Sequence, residues 1–314
     1  MPSFLRPTLM AMLFTQLPFW GSPQNLIIQN GRSGAPIPYC NVKVLDKGFG
    51  KVAGKAGELT FPDSLLNRMS MGDSVQISAV GYWEKKLSKK VLMGKLEHRG
   101  KVTLTRKPIE KGAVTVHGYE KKDVLLGKRS FNNVNQIGFG VANNTGNGYQ
   151  MGTVIEVRRP FTELDTFGFY VTKVSYYGDS MRTRLRDTVR CRLNLYDHDE
   201  GANTVSEKVD TLINDSLIIF ELPVEKGPFK LDLSEHELTV HGDLLATIEA
   251  LEKTSEEPIM IHFSARSFGG KGYSTFGIGR KWREKSFGSI ALFFKGKMPT
   301  WRESRWLKEK VPKE

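Results

Sequence analysis

Period-two alternation is the strongest pattern along the chain. Cys40, Val42 and Val44 alternate with Asn41 and Lys43. Val75, Ile77 and Ala79 alternate with Gln76 and Ser78. Successive strand side chains point to opposite faces, so each run predicts a strand with one buried face. Leu26-Ile27-Ile28 opens this unit and Val102-Thr103-Leu104 closes it, with turns at Asn30–Gly34 and Lys47–Gly50. Asp63–Met69 predicts a short helix with Asp63 as its N-cap.

Further strands are expected at Thr153–Val157, Phe167–Tyr177, Val189–Tyr196, Leu217–Leu222, Pro258–Ala265 and Ser289–Phe294. Leu244–Leu251 has helical composition in a β context, and both readings stand. Lys107-Pro108 marks a boundary, after which Ala113–His117 fits a linking strand. Short strands punctuated by many of the chain's 31 glycines, with few helical patterns, predict an all-β protein of two consecutive sandwiches. The divisions are a leader at 1–23, a first sandwich at 24–107, a connector at 108–134, a larger sandwich at 135–296 and a basic tail at 297–314. Trp301–Lys310 fits either a short amphipathic helix or a loose tail.

Three ordered motifs in the first unit resemble carboxypeptidase regulatory-like domains. They are Ala35-Pro36-Ile37-Pro38-Tyr39-Cys40-Asn41-Val42-Lys43-Val44, then Gly48-Phe49-Gly50-Lys51-Val52 with Gly57-Glu58-Leu59, then Asp73-Ser74-Val75-Gln76-Ile77-Ser78-Ala79-Val80-Gly81-Tyr82. Ala53 departs from the pattern, standing where Thr or Ser is usual. The resemblance implies a transthyretin-like (prealbumin-like) sandwich with Val42, Val44, Val75, Ile77 and Ala79 inward. Val116–Gly127, Gly152–Glu156, Val189–Tyr196 and Leu231–Ser234 follow in an order similar to exported Bacteroidetes proteins that begin with such a domain. That implies a larger, jelly-roll-like second sandwich and an envelope address, in the periplasm or at the outer membrane. In physical terms, Pro36 and Pro38 suit an extended strand edge, and Gly48 and Gly50 suit the backbone angles of a hairpin.

Arg6 precedes the apolar run Leu9–Phe14, and Gly21 and Ser22 follow, which is the order of a cleaved secretory signal. No apolar stretch reaches the ~20 residues a membrane helix needs. The formal charge of +12 favours an anionic surface as partner. Lys85, Lys86, Lys89, Lys90, Lys95, Arg99, Lys101, Arg106 and Lys107 carry part of the excess. The tail, from Lys295 and Lys297 to Lys313, carries more. Without an RNP-like or helix-turn-helix pattern, specific nucleic acid is not expected. An envelope protein or a glycan is.

No catalytic, cofactor-binding or metal-binding constellation stands out. The histidines (His98, His117, His198, His236, His241, His262) contain no H-E-x-x-H, and His117-Gly118-Tyr119-Glu120 lacks a third ligand. Asp197-His198-Asp199-Glu200 is the densest ligand cluster, read as an acidic turn or as a calcium loop. The glycines of Phe268–Gly279 lack the G-K-[ST] of a phosphate loop. Cys40 and Cys191 read as buried thiols on apolar strand faces. Phe167, Phe169, Tyr170, Tyr176 and Tyr177 divide between core and surface, where exposed rings stack on sugars. The expectation is a non-catalytic exported binding or scaffold protein without cofactors. The alternatives are a polyanion- or carbohydrate-binding protein and a hydrolase with an unrecognised site in the second domain.

Overall fold

The computed structural model describes residues 25–108, 120–130, 135–141, 148–176, 187–202, 205, 209–254, 258–266, 270–285 and 288–300. These residues form an all-β protein with two hydrophobic cores, as the alternation predicts.

The first core lies between two sheets built from β1 (Asn25–Asn30), β2 (Asn41–Val44), β3 (Phe49–Val52), β4 (Glu58–Thr60), β5 (Ser74–Ser78), β6 (Lys85–Ser88) and β7 (Lys101–Leu104). One sheet runs β4-β1-β7, with β1 and β7 parallel, and the other runs β3-β2-β5-β6. Leu26, Ile28, Leu59 and Val102 meet Val42, Val44, Val75 and Ile77 in a common core. Ala79 lies just past β5 and is half-buried, because the strand ends at Ser78. The predicted helix is shorter than expected. It is α1 (Asp63–Leu66), Pro62 occupies the N-cap position, and no side chain caps it. A second helix, α2 (Lys89–Glu97), is not evident in the pattern. Ser88 Oγ accepts from Val91 N at 3.4 Å as its cap, and Leu92 and Leu96 anchor it to the core.

The second core lies between larger sheets. Their strands are β8 (Lys121–Gly127), β9 (Gln136–Val141), β10 (Tyr149–Ile155), β11 (Thr162–Tyr176), β12 (Thr188–His198), β13 (Val209–Leu212), β14 (Ile218–Pro223) and β15 (Gly227–Asp232). After these come β16 (Leu238–Val240), β17 (Leu244–Lys253), β18 (Ile259–Arg266), β19 (Gly272–Phe276), β20 (Arg283–Lys285), β21 (Ser289–Ile290) and β22 (Phe293–Pro299). One sheet runs β13-β12-β17-β10-β19-β20, with β14 also on β12. The other runs β21-β18-β11-β22-β8, with β15 and β16 on β11 and β9 on β18.

The reading left open at Leu244–Leu251 closes here. Leu244–Leu251 is strand, and every residue in it is buried. Both faces of β17 are covered, so alternation disappears and the composition imitates a helix. The expected connector contains β8, which pairs along β22, and the expected tail begins inside β22. The leader, Ala113–His117 and Trp301–Lys310 lie outside the described residues.

Candidate functional cleft between the sandwiches

The site starts from the alternation of β12. Val189, Cys191, Leu193 and Leu195 enter the second core, so Arg190, Arg192, Asn194 and Tyr196 project from the opposite face. That face meets the outer face of β2 and β5 in the first sandwich. Two adjoining recesses open between them, of about 640 Å³ and about 380 Å³, sharing Asn41, Ser78, Glu84 and Tyr196.

Two arginines hold the sandwiches together. Arg192 is 2% exposed and lies opposite the fully buried Glu249 of β17. Its Nε and Nη2 donate to Glu249 Oε2 at 3.0 and 2.7 Å. Its Nη1 donates to the Tyr39 carbonyl at 2.9 Å, and Nη2 also reaches Asn41 Oδ1 at 2.9 Å. Arg190 donates to Glu221 at 2.6 Å, Glu252 at 2.8 Å and the Tyr39 hydroxyl at 3.0 Å. Tyr39 has φ 54°, a left-handed conformation that is uncommon outside glycine. Pro38-Tyr39 is therefore a turn and not an extended approach to β2. It aims the Tyr39 ring into a small apolar cluster with Val52 and Leu251. Burial raises the Tyr39 hydroxyl pKa, and the hydrogen bond from Arg190 opposes that rise.

Gly50 has an ordinary φ, so its role is closeness, not the hairpin angle expected of it. A β-carbon there would collide with the Val42 carbonyl and come within 2.7 Å of Ile278 Cγ2 from the other sandwich. Gly48, at φ 63°, does supply the turn.

A hydrogen-bonded chain links Asn194 of the larger recess to Gln150 of the smaller one. Asn194 Nδ2 donates to Glu249 Oε2 at 2.9 Å and to Gln150 Oε1 at 3.3 Å. Gln150 Oε1 also accepts from the Tyr196 hydroxyl at 3.0 Å and Thr247 Oγ1 at 3.1 Å. Burial raises the Tyr196 hydroxyl pKa well above its usual range, so it stays a donor. Glu249 Oε1 is buried with no hydrogen-bond partner among the described residues. Trp282 packs edge-on to Tyr196 at 5.5 Å, and Trp83 stands 56% exposed beside the larger recess with Lys107 Nζ 5.3 Å from its ring centre.

The residues that the sequence singles out lie elsewhere. His198 is buried, with Nε2 3.3 Å from the Tyr273 hydroxyl. Asp199 Oδ1 accepts from Gly201 N at 2.8 Å, and Glu200 pairs with Lys271. The strand β12 runs on through His198, so this cluster straddles a strand end, with Glu200 Oε2 3.9 Å from His198 Nε2. His236 contacts Ser216, His262 contacts Ser175, and His241 packs on Phe161, all on separate surfaces. His98 caps α2, and His117 lies outside the described residues. Among the described residues no three His, Cys, Asp or Glu side chains gather as metal ligands. Cys40 and Cys191 are buried and free, and burial pushes the Cys40 thiol up to about 12. The glycine-rich segment contributes β19, with Gly277 and Gly279 in the turn that follows. Phe167 and Phe169 are core residues, Tyr170 and Tyr176 are half-buried, and Tyr177 lies outside the described residues. Part of the first lysine run covers backbone: Lys85, Lys89 and Lys95 donate to the carbonyls of Thr103, Met69 and Lys101.

No family model matches the sequence, and no curated protein matches it. Among solved structures, the cysteine protease and lectin-like domains of Cwp84, a surface-layer-associated protein of Clostridium difficile, align at TM-score 0.35 and 11% identity over 57% of this chain. The infectious bursal disease virus Gx strain aligns at TM-score 0.22 and 9% identity over 90% of it. The chain spans 36% and 66% of the lengths of those two chains. Similarity this low carries no argument. Among the described residues no helix is long and apolar enough to cross a membrane.

Proposed function

We propose that the chain is a non-catalytic binding module of the cell envelope, with its ligand held in the cleft between the sandwiches. One observation carries the reading. The outer sheet faces that form the cleft are polar, and their side chains are fixed by buried hydrogen bonds around Arg192 and Glu249. A recess of about 640 Å³ falls in the size range of small-ligand sites, and its polar groups are held in place before a ligand arrives. Both thiols are buried away from the cleft lining, and no histidine lines either recess among the described residues. Export and a regulatory-like first domain belong to the same proposal. Their support is the apolar run after Arg6 and the three motifs of residues 35–82.

Hydrogen–deuterium exchange of the full chain against fractionated envelope material tests the reading. The expected result is protection confined to β2, β5, β10 and β12, with every component of the fraction unchanged in mass. Protection elsewhere would overturn the cleft assignment, and products of altered mass would overturn the non-catalytic one.

A further inference from the structure

The hydrogen-bond polarity of the cleft is set by a single ion pair. A guanidinium only donates, so Arg192 fixes Asn41 Oδ1 as an acceptor and leaves Asn41 Nδ2 as the free end of that amide. An ionised carboxylate only accepts, so Glu249 fixes Asn194 Nδ2 as a donor. Asn194 then requires an acceptor at Gln150, and the Tyr196 and Thr247 hydroxyls can donate to that same oxygen. Gln150 Oε1 is therefore fully engaged. Gln150 is 7% exposed and lines the smaller recess, and its Nε2 has no partner among the described residues. Two amide donors, one from each sandwich, are thus fixed toward the same cleft. An amide donor that opens onto a recess with no protein partner there favours a ligand that brings acceptors.

The rim agrees. Lys43, Arg106, Lys107, Arg280 and Lys281 line the recesses, against the acids Glu84 and Asp215. Trp83 and Trp282 add flat rings whose negative faces attract weakly positive C–H bonds. We infer that the cleft binds an acidic saccharide, a chain of sugars bearing carboxylates. Its hydroxyls and carboxylates accept from Asn41 and Gln150, its carboxylates pair with the rim cations, and its C–H faces lie on the indoles. A polynucleotide calls for a continuous cationic track. Here acids interrupt the cations, which suits a ligand that alternates charge with neutral hydroxyls. The inference rests on the binding-module reading above.

Calorimetry of the full chain tests it with hexagalacturonate, maltohexaose and a single-stranded hexadeoxynucleotide. Hexagalacturonate is expected to bind one per chain, more weakly as salt rises, with the other two weaker by about tenfold or more. Gln150→Glu keeps Oε1 for its three donors and replaces the free donor with an acceptor. It is expected to weaken hexagalacturonate about tenfold, as is the surface variant K43A/K281A. If Gln150→Glu does not fold, K43A/K281A decides. Equal binding of either control, no binding of hexagalacturonate, or binding that the variants leave unchanged would overturn the acidic-saccharide assignment. Shortening of hexagalacturonate would instead overturn the non-catalytic reading and leave the ligand class standing.

Discussion

Replacing Arg192 by methionine is the sharpest test of how the sandwiches are held. The variant removes two hydrogen bonds from Glu249 and one each from the Tyr39 carbonyl and Asn41. Glu249 then keeps Asn194 as its hydrogen-bond donor, at 0% exposure. An uncompensated buried charge costs about 3–5 kcal/mol. Urea unfolding followed by tryptophan fluorescence, each variant against the parent at pH 7, reads the effect. The expected destabilisation for R192M is about 3–5 kcal/mol. R192M/E249M removes both charges and is expected within about 2 kcal/mol of the parent. A loss below about 1 kcal/mol for R192M, or a loss for R192M/E249M as large as that for R192M, would refute the buried-pair argument.

Three other outcomes follow from the same geometry. Cys40 and Cys191 are expected to ignore a disulfide reagent at pH 8 until urea is added, because both are buried and the Cys40 thiol is pushed up to about 12; rapid reaction of the native chain would contradict their placement. Burial holds His241 and His262 below the ordinary 6.5, so the folded state favours their neutral forms; that stability is present above 6.5 and is lost as pH falls through the lowered values. His241→Gln is therefore expected to flatten the acid limb of a stability–pH curve, and an unchanged limb would count against it. Gly50→Ala is expected to cost about 1–3 kcal/mol by overpacking against Val42 and Ile278, read as a lower urea midpoint; a neutral result would mean the sandwiches part easily.

The alternation of Val42, Val44, Val75 and Ile77 was sufficient to place the first core, because a strand with one dry face writes its burial into every second residue. The same logic concealed the cleft. Asn41, Lys43, Gln76, Arg190, Arg192 and Asn194 occupy the polar positions of their strands, which local pattern assigns to water. Sequence does not say that two polar faces will meet. Nothing within β12 distinguishes Arg192, at 2% exposed, from a solvated arginine. The one available signal was on the partner strand, where Thr247 and Glu249 interrupt the apolar run of β17. Charged residues are rarely buried unless paired, so a glutamate in such a run asks for a cation opposite. Helix α2 was hidden because lysines flank only two core residues, Leu92 and Leu96, too few for a clear helical period.

A polar interface between two sandwiches raises the question of what it supplies that apolar packing would not. Stability is a weak answer, since well-packed apolar replacements of a buried ion pair are often equally stable. Orientation is a stronger one. The apolar contact around Tyr39, Val52 and Leu251 is small and non-directional, whereas the planar guanidinium of Arg192 meets Glu249, Tyr39 and Asn41 together in one placement. The same pair fixes which ends of Asn41 and Gln150 face the cleft. R192M/E249M therefore separates the two roles. Its folding stability is expected near that of the parent, while Asn41 loses its anchor and Asn194 loses the carboxylate that sets its direction. Affinity for hexagalacturonate is then expected to fall about tenfold. Parental affinity in a stably folded double variant would show that the pair only joins the sandwiches, and that the donors of the cleft are aligned by something else.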